Sequence, residues 1–387
     1  MVSISDLPQE LVDKIVGEFK DDEDNLRLCA LISPAFVPST RQHLFASVRI
    51  LGHNLHPFQA LIDSSPLWIL VAPSTLAQLP NLTHLYAHDD PFGFRHLSPA
   101  QESVLADALR RLTTVELLLH QLWTVSAWAS LLNGCASLTT LIVGANATGW
   151  GTWTAADVAA LSLSAAPGIL RLHTLHVSGD CKVLAPLGAW LIPQGALTTL
   201  HTLVLDVMFL ADDYLGEDRR VLLLQAAAAS LRELKLNLDP HLPGDITIAS
   251  FPILRSLHLH DGFDAELGAS LAWIVAFFSR SDPASSAGAN ESAIEHLSLD
   301  HGTTRQRLLA VPAAMWAALE DALLGSGAGV HPGSTYHGAA PHPHLRTLTL
   351  SGYDDSAAVA PDAFAHFSQT VRDRLPILVE RGMLVVE

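Results

Sequence analysis

The sequence predicts an α/β chain in two parts: a short three-helix module over residues 1–46, then a repeat array over 47–387. In that array, parallel strands line a concave face and helices the convex one. Three observations predict it. Apolar residues near the N-terminus recur at helical spacing. From residue 79 onward one six-residue strand pattern returns again and again. Helical stretches separate its occurrences.

Composition sets the frame for each element. Hydrophobic residues make up 49% of the 387 and charged residues 16%, far too apolar for a disordered chain, so a large core is expected. Lys plus Arg is 22 against 39 for Asp plus Glu, a net charge of -17, and no basic run occurs. Such a chain repels phosphate backbones, and nucleic acid is set aside as a partner. The opening MVSISDLPQE has neither a basic n-region nor an apolar h-region, so no secretory signal is expected. The longest apolar stretches, such as 271–278 (LAWIVAFF), are too short to span a bilayer, and no membrane partner is expected. Cys29, Cys135 and Cys181 are scattered and odd in number, which fits a reduced cytoplasmic or nuclear compartment better than a disulfide framework.

The first helix should begin near Pro8, because proline suits the first helical position. Leu7, Leu11, Ile15 and Phe19 fall four apart with Val12 and Val16 beside them, one apolar stripe. The charged break KDDEDN (20–25) offers Asp24 or Asn25 as the cap of a second helix over 26–32. Ser33-Pro34 repeats the cap-then-proline signal and starts a third helix running to about His43. Three helices in about forty residues make a small core that leans on a neighbour or partner.

Leu7, Pro8, Glu10, Leu11, Ile15, Leu26, Leu28, Cys29, Leu31, Ser33, Phe36 and Leu44-Phe45 together resemble the F-box motif, most closely that of fungal F-box proteins. The resemblance covers about residues 4–46. Phe36 departs from it, standing where many family members carry Trp. The resemblance implies docking to the Skp-family adaptor of a cullin–RING ubiquitin ligase. Its carriers here would be Leu7, Pro8, Leu11, Ile15, Leu26, Leu28 and Phe36. In the alternative, these helices merely cap the repeat array.

The strand pattern is apolar-x-x-apolar-x-apolar. It starts at Leu82, Leu112, Leu138, Leu172, Leu200, Leu231, Leu254, Ile294 and Leu345. Leu, Ile and Val are so frequent that three fixed apolar positions recur about eight times by chance. What lifts the signal is the polar or small residues between them and the confined spacing. Successive starts lie 30, 26, 34, 28, 31, 23, 40 and 51 apart. The last two intervals contain low-complexity insertions near 279–292 and 325–344. Helical stretches lie at 100–111, 155–164, 219–230, 267–278 and 312–324. Units of this kind must stack, because none can bury its apolar face alone. The pattern resembles an irregular leucine-rich-repeat solenoid. The asparagine expected late in each repeat is present once, as Asn146, with Asp90, Asp180 or Asp239 elsewhere.

Alternation sends the apolar residues inward and the residues between them onto the concave sheet. The outward set is His84, Tyr86, His88 and Glu116 from the early repeats and His176, Asp206, Glu233 and Lys235 from the middle ones. His258, His260, His296 and Asp300 follow from the later repeats. This histidine-rich surface is the expected site for a partner protein, though a sheet face must be solvated by something in any case.

Other constellations fit ordinary loops. His331, His337, His342 and His344 lie among Gly, Pro and Ala, without the rigid frame a metal needs. The pairs Asp89-Asp90, Asp212-Asp213 and Asp354-Asp355 read as solvated or capping carboxylates, and Trp150 and Trp153 as loop packing. No nucleophile elbow, phosphate loop, dinucleotide fingerprint or C-x-x-C occurs. The expectation is a non-enzymatic adaptor without cofactor or metal. It would tie a substrate protein of unknown identity to a Skp-family adaptor and cullin ligase core. The alternative is an interaction scaffold with no link to ubiquitin transfer.

Overall fold

The computed structural model describes residues 7–20, 22–44, 47–50, 82–88, 109–119, 135–145, 156, 170–208, 219–238, 248–261, 267–279, 293–304, 309–324, 344–353 and 361–387. The chain divides into two compact units, Met1–Leu172 and His173–Glu387.

The first unit opens with α1 (Gln9–Gly17), α2 (Glu23–Ile32), a single 3-10 turn (Pro34–Phe36) and α3 (Val37–Leu44). Pro8 stands just ahead of α1, and its carbonyl accepts from the amides of Leu11 and Val12. Asp22 caps α2, not Asp24 or Asn25. Its carboxylate accepts from the Asn25 amide at 3.0 Å, and the helix starts three residues earlier than the apolar pattern implies. Ser33 accepts from the Ala35 amide at 3.3 Å, the cap expected there.

The stripe expected on α1 splits in two. Val12 and Val16 turn inward and form a core with Leu26, Cys29 and Phe36, against which Leu7, Phe19 and Leu44 are partly buried. Leu11 and Ile15 stay outside. A polar tie at the module surface, anchored by the buried Ser39, joins α1 to α3. Ser39 donates to the Asp13 carboxylate, and the Gln9 amide donates to Asp13 at 2.8 Å and to Ser39 at 3.0 Å. These hydrogen bonds, that from Ser39 first, hold the Asp13 carboxyl below the usual carboxylate range.

Four parallel strands complete the first unit in chain order: β1 (Ser47–Ile50), β2 (His84–His88), β3 (Thr114–Leu119) and β4 (Thr140–Ala145). Leu82, Leu85, Leu112, Val115, Leu117, Leu138, Leu141 and Val143 are all buried, as the pattern requires. Cys135 is buried as well, and the loss of solvent pushes its thiol up to about 12.

The second unit has seven parallel strands, again in chain order. The run β5 (Thr174–Asp180), α4 (Leu184–Leu191), β6 (Thr202–Met208), α5 (Arg219–Ala227) and β7 (Glu233–Leu238) comes first. Then come β8 (Ser256–Asp261), α6 (Leu267–Ser279), β9 (His296–Thr304), α7 (Ala313–Leu324) and β10 (Thr347–Tyr353). The unit ends with α8 (Pro361–Arg374), α9 (Pro376–Glu380) and β11 (Leu384–Val386). Each strand pairs in parallel with the next. Parallel neighbours need a crossover of a dozen or more residues, which is why the repeats are long.

Leu203, Leu205, Leu257 and Leu259 are buried, while Val204, His258 and His260 lie on the opposite, partly solvated face. The core is closed by helix side chains. Trp190, Phe277, Phe278 and Trp316 are each at most 2% exposed, and Phe277 stacks on Trp273 with ring centroids 5.0 Å apart. Asp180, at the position where the repeat calls for asparagine, is buried too. At the C-terminal end the buried Glu320 of α7 accepts from the amides of Ile377 and Leu378 at 2.8 and 2.9 Å, capping α9. Arg374 donates to the carbonyls of Val311 and Leu309.

The helices expected at 219–230, 267–278 and 312–324 are α5, α6 and α7. Those at 100–111 and 155–164 lie outside the described residues except at their margins, as do both low-complexity insertions. Among the described residues no helix is long and apolar enough to cross a membrane.

Candidate functional site

Two surfaces combine residues singled out by the sequence. The first is on the N-terminal helices. Leu11 and Ile15 are 48% and 41% exposed, one turn apart on α1, and Leu28, Leu31 and Ile32 on α2 are 55%, 83% and 63% exposed. Residues three and four apart share a helix face, so each helix carries its own outward apolar stripe. Pro8 is exposed and Leu7 half-buried. Leu26 and Phe36, grouped with them by motif, face inward and fill the core at 2% and 6% exposure. They act on this surface only by fixing the helices. Leu31 and Ile32 are its most exposed members. Leu31 is one of the motif residues and Ile32 is not, but the α2 stretch is apolar nearly all round, so its outer face was not legible before the helices were packed.

The second surface is the open face of the strands. In the first unit His84 is exposed and Tyr86 and Glu116 are half-buried, while the His88 side chain lies outside the described residues. In the second unit the register brings the others together. His176 aligns with Val204, Val204 with Lys235, Lys235 with His258 and His258 with Ser298. Two residues further along, Asn237 aligns with His260, His260 with Asp300 and Asp300 with Ser351. Asp206, Asp300, His296 and Lys235 are exposed, and Glu233, His176, His258 and His260 half-buried. No protein-family model matches the chain, and no curated protein matches it.

The polar groups on this face are organised in pairs. Glu233 receives the Lys235 ammonium at 3.2 Å and the Thr202 hydroxyl at 3.4 Å, with His258 at 4.0 Å. His258 also meets the Ser256 hydroxyl at 2.9 Å. Asp300 has His260 at 3.4 Å and accepts from Ser351 at 3.2 Å. Burial, and then the Lys235 charge, lower the His258 pKa, so the neutral imidazole is favoured at neutral pH. A hollow of about 340 Å³ opens between these pairs, floored by Val204, Leu205, Leu236 and Leu259. The sequence did not single out Asn237, Ser298 or Ser351, which also line it. They are ordinary polar residues until the register aligns them.

Among the described residues no group of three His, Cys, Asp or Glu is placed to hold a metal ion. His344 is the one member of the late histidine cluster within them, and it is exposed. What the sheet face offers is a broad array of hydrogen-bonding and charged groups over a shallow apolar floor. That suits a polypeptide surface better than a small enclosed ligand.

Proposed function

We propose that the chain is a substrate-recognition adaptor. Its N-terminal helices act as an F-box-like module that docks a Skp-family adaptor and through it a cullin–RING ligase. The strands form an irregular leucine-rich-repeat solenoid whose open, concave sheet face holds the substrate protein. The observation that carries the reading is the double apolar stripe. A small helical module that has already filled its own core leaves Leu11, Ile15, Leu28, Leu31 and Ile32 in solvent. Large apolar side chains grouped on neighbouring helices mark a protein interface. The place of Leu11, Ile15, Leu28 and Leu31 in the F-box-like motif supports a Skp-family adaptor as the partner.

The test is co-purification with a Skp-family adaptor. Full-length chain is compared with a chain lacking residues 1–46 and with the Leu31→Asp, Ile32→Asp double variant. Capture by the full-length chain alone supports the reading. Equal capture by all three, or none by the folded full-length chain, refutes it and leaves a scaffold without a ligase.

A further inference from the structure

Just before the strands of the second unit begin, His173, His201, Arg232, Arg255, Glu295 and Arg346 follow one another along the sheet edge. Each main-chain N–H donates to the carbonyl of the residue before it in this series, at 2.8 to 2.9 Å. Glu295 sits between Arg255 at 3.8 Å and Arg346 at 3.5 Å. The edge is therefore cationic in a chain that is acidic overall. Near the other end of the strands the charges are carboxylates, Asp206 and Asp300.

Most charged groups in this row and on the strands beyond it have an opposite charge beside them, and two stand out for lacking one. Among the described residues the exposed Arg232 makes no ion pair. The exposed Asp206 receives only the Asn237 side-chain amide, at 3.4 Å. Arg232 immediately precedes β7, and Asn237, five residues further on within β7, bonds Asp206. At roughly 3.3 Å per strand residue, the two lone charges lie about 16 Å apart along the strand direction. The hollow over Val204 and Leu236 lies toward the Asp206 end of that span.

We propose that this face holds an extended polypeptide segment of the partner with an acidic side chain against Arg232 and a basic one against Asp206, four or six residues away, the spacings that put both side chains on one face of an extended segment. A side chain near the basic end fills the hollow. The proposal rests on the reading of the sheet as the recognition face. Charge complementarity selects the occupant. A uniformly acidic segment, or a nucleic-acid strand, satisfies Arg232 but sets like charge against Asp206 and Asp300. A uniformly basic one repeats the fault at the arginine edge. A segment laid in the opposite direction suffers both, so the pattern fixes orientation by repulsion as well as by attraction.

The test is a phage selection of randomised twelve-residue peptides on the full-length chain at low ionic strength, with Arg232→Gln, Asp206→Asn and Val204→Asp chains in parallel. All these positions are solvent-accessible, and unchanged melting temperatures are expected. The wild-type chain should enrich peptides with an acid and a base four or six residues apart. R232Q should lose the acidic preference and keep the basic one, and D206N the reverse. Either change should weaken a wild-type-selected peptide by about two- to fivefold, since exposed ion pairs contribute little singly, and that difference should shrink in salt. Identical peptides from the wild-type, R232Q and D206N chains, or uncharged peptides from the wild type, overturn the proposal. If such peptides are still lost on V204D, the sheet remains a recognition face of another chemistry. If no chain retains any peptide, the recognition reading falls together with the proposal.

Discussion

Leu257→Ala and His258→Ala form a matched pair that tests which side of β8 faces the core. Leu257 is 0% exposed, and its register partners Leu234 and Leu297 are buried on either side. Removing three carbons forfeits about 2.4 kcal/mol of transfer free energy, at about 0.8 kcal/mol for each buried carbon. Hydrogen-bonded strands on both sides limit collapse, so a cavity term brings the expected loss to roughly 3–5 kcal/mol. His258 is half-exposed and loses the Ser256 hydroxyl and a weak approach to Glu233. Its replacement should fall within about 0.5 kcal/mol. Denaturant unfolding followed by far-UV circular dichroism reads both, provided the slopes with denaturant agree. A His258→Ala loss as large as that of Leu257→Ala would mean the strand is shifted by one residue, and every outward residue assigned on it would belong to the core.

Leu11→Asp with Ile15→Asp should abolish Skp-family capture in a pull-down while helicity and melting temperature stay near wild type. Val12→Asp should instead unfold the module, because it places a carboxylate in a dry core at a cost of several kcal/mol. Glu320→Ala strips the acceptor from two amides at the start of α9 and should destabilise the second unit by roughly 2–4 kcal/mol, whereas Glu320→Gln keeps an acceptor and should lose about 1 kcal/mol. Faster hydrogen exchange at Ile377 and Leu378 in the Ala variant alone would bear this out, and unchanged exchange would count against it. Because the His258 pKa is lowered on folding, the unfolded chain binds the proton more readily. Stability should therefore fall as pH drops below about 6.5, the ordinary histidine value, and His258→Gln should flatten that part of the stability profile.

The sequence by itself determined the parts that depend on local pattern. Three N-terminal helices, the strand repeat from Leu82 to Leu345 and the inward set of leucines were all legible, because a period of two or of 3.6 assigns a face without knowledge of the neighbour. The edge strands were harder. β1 fits the pattern from Phe45 through Val48 to Ile50, but it follows the helical module directly in the chain and stands apart from the recurring series. β11 has Arg381 at the leading apolar position and is placed only by its pairing with Leu348 and Leu350. The α1 stripe shows the limit most plainly. Leu11, Val12, Ile15 and Val16 are equally apolar, and only packing against α2 and α3 decided that the valines fill the core while the larger residues face solvent. The same holds on the sheet. Alternation along one strand names His260 and Asp300 as outward, but the pairing of strands far apart in sequence sets them 3.4 Å apart. Among the described residues it also leaves Arg232 and Asp206 without an ion-pair partner. Those are distances between residues tens of positions apart, and only the tertiary fold fixes them.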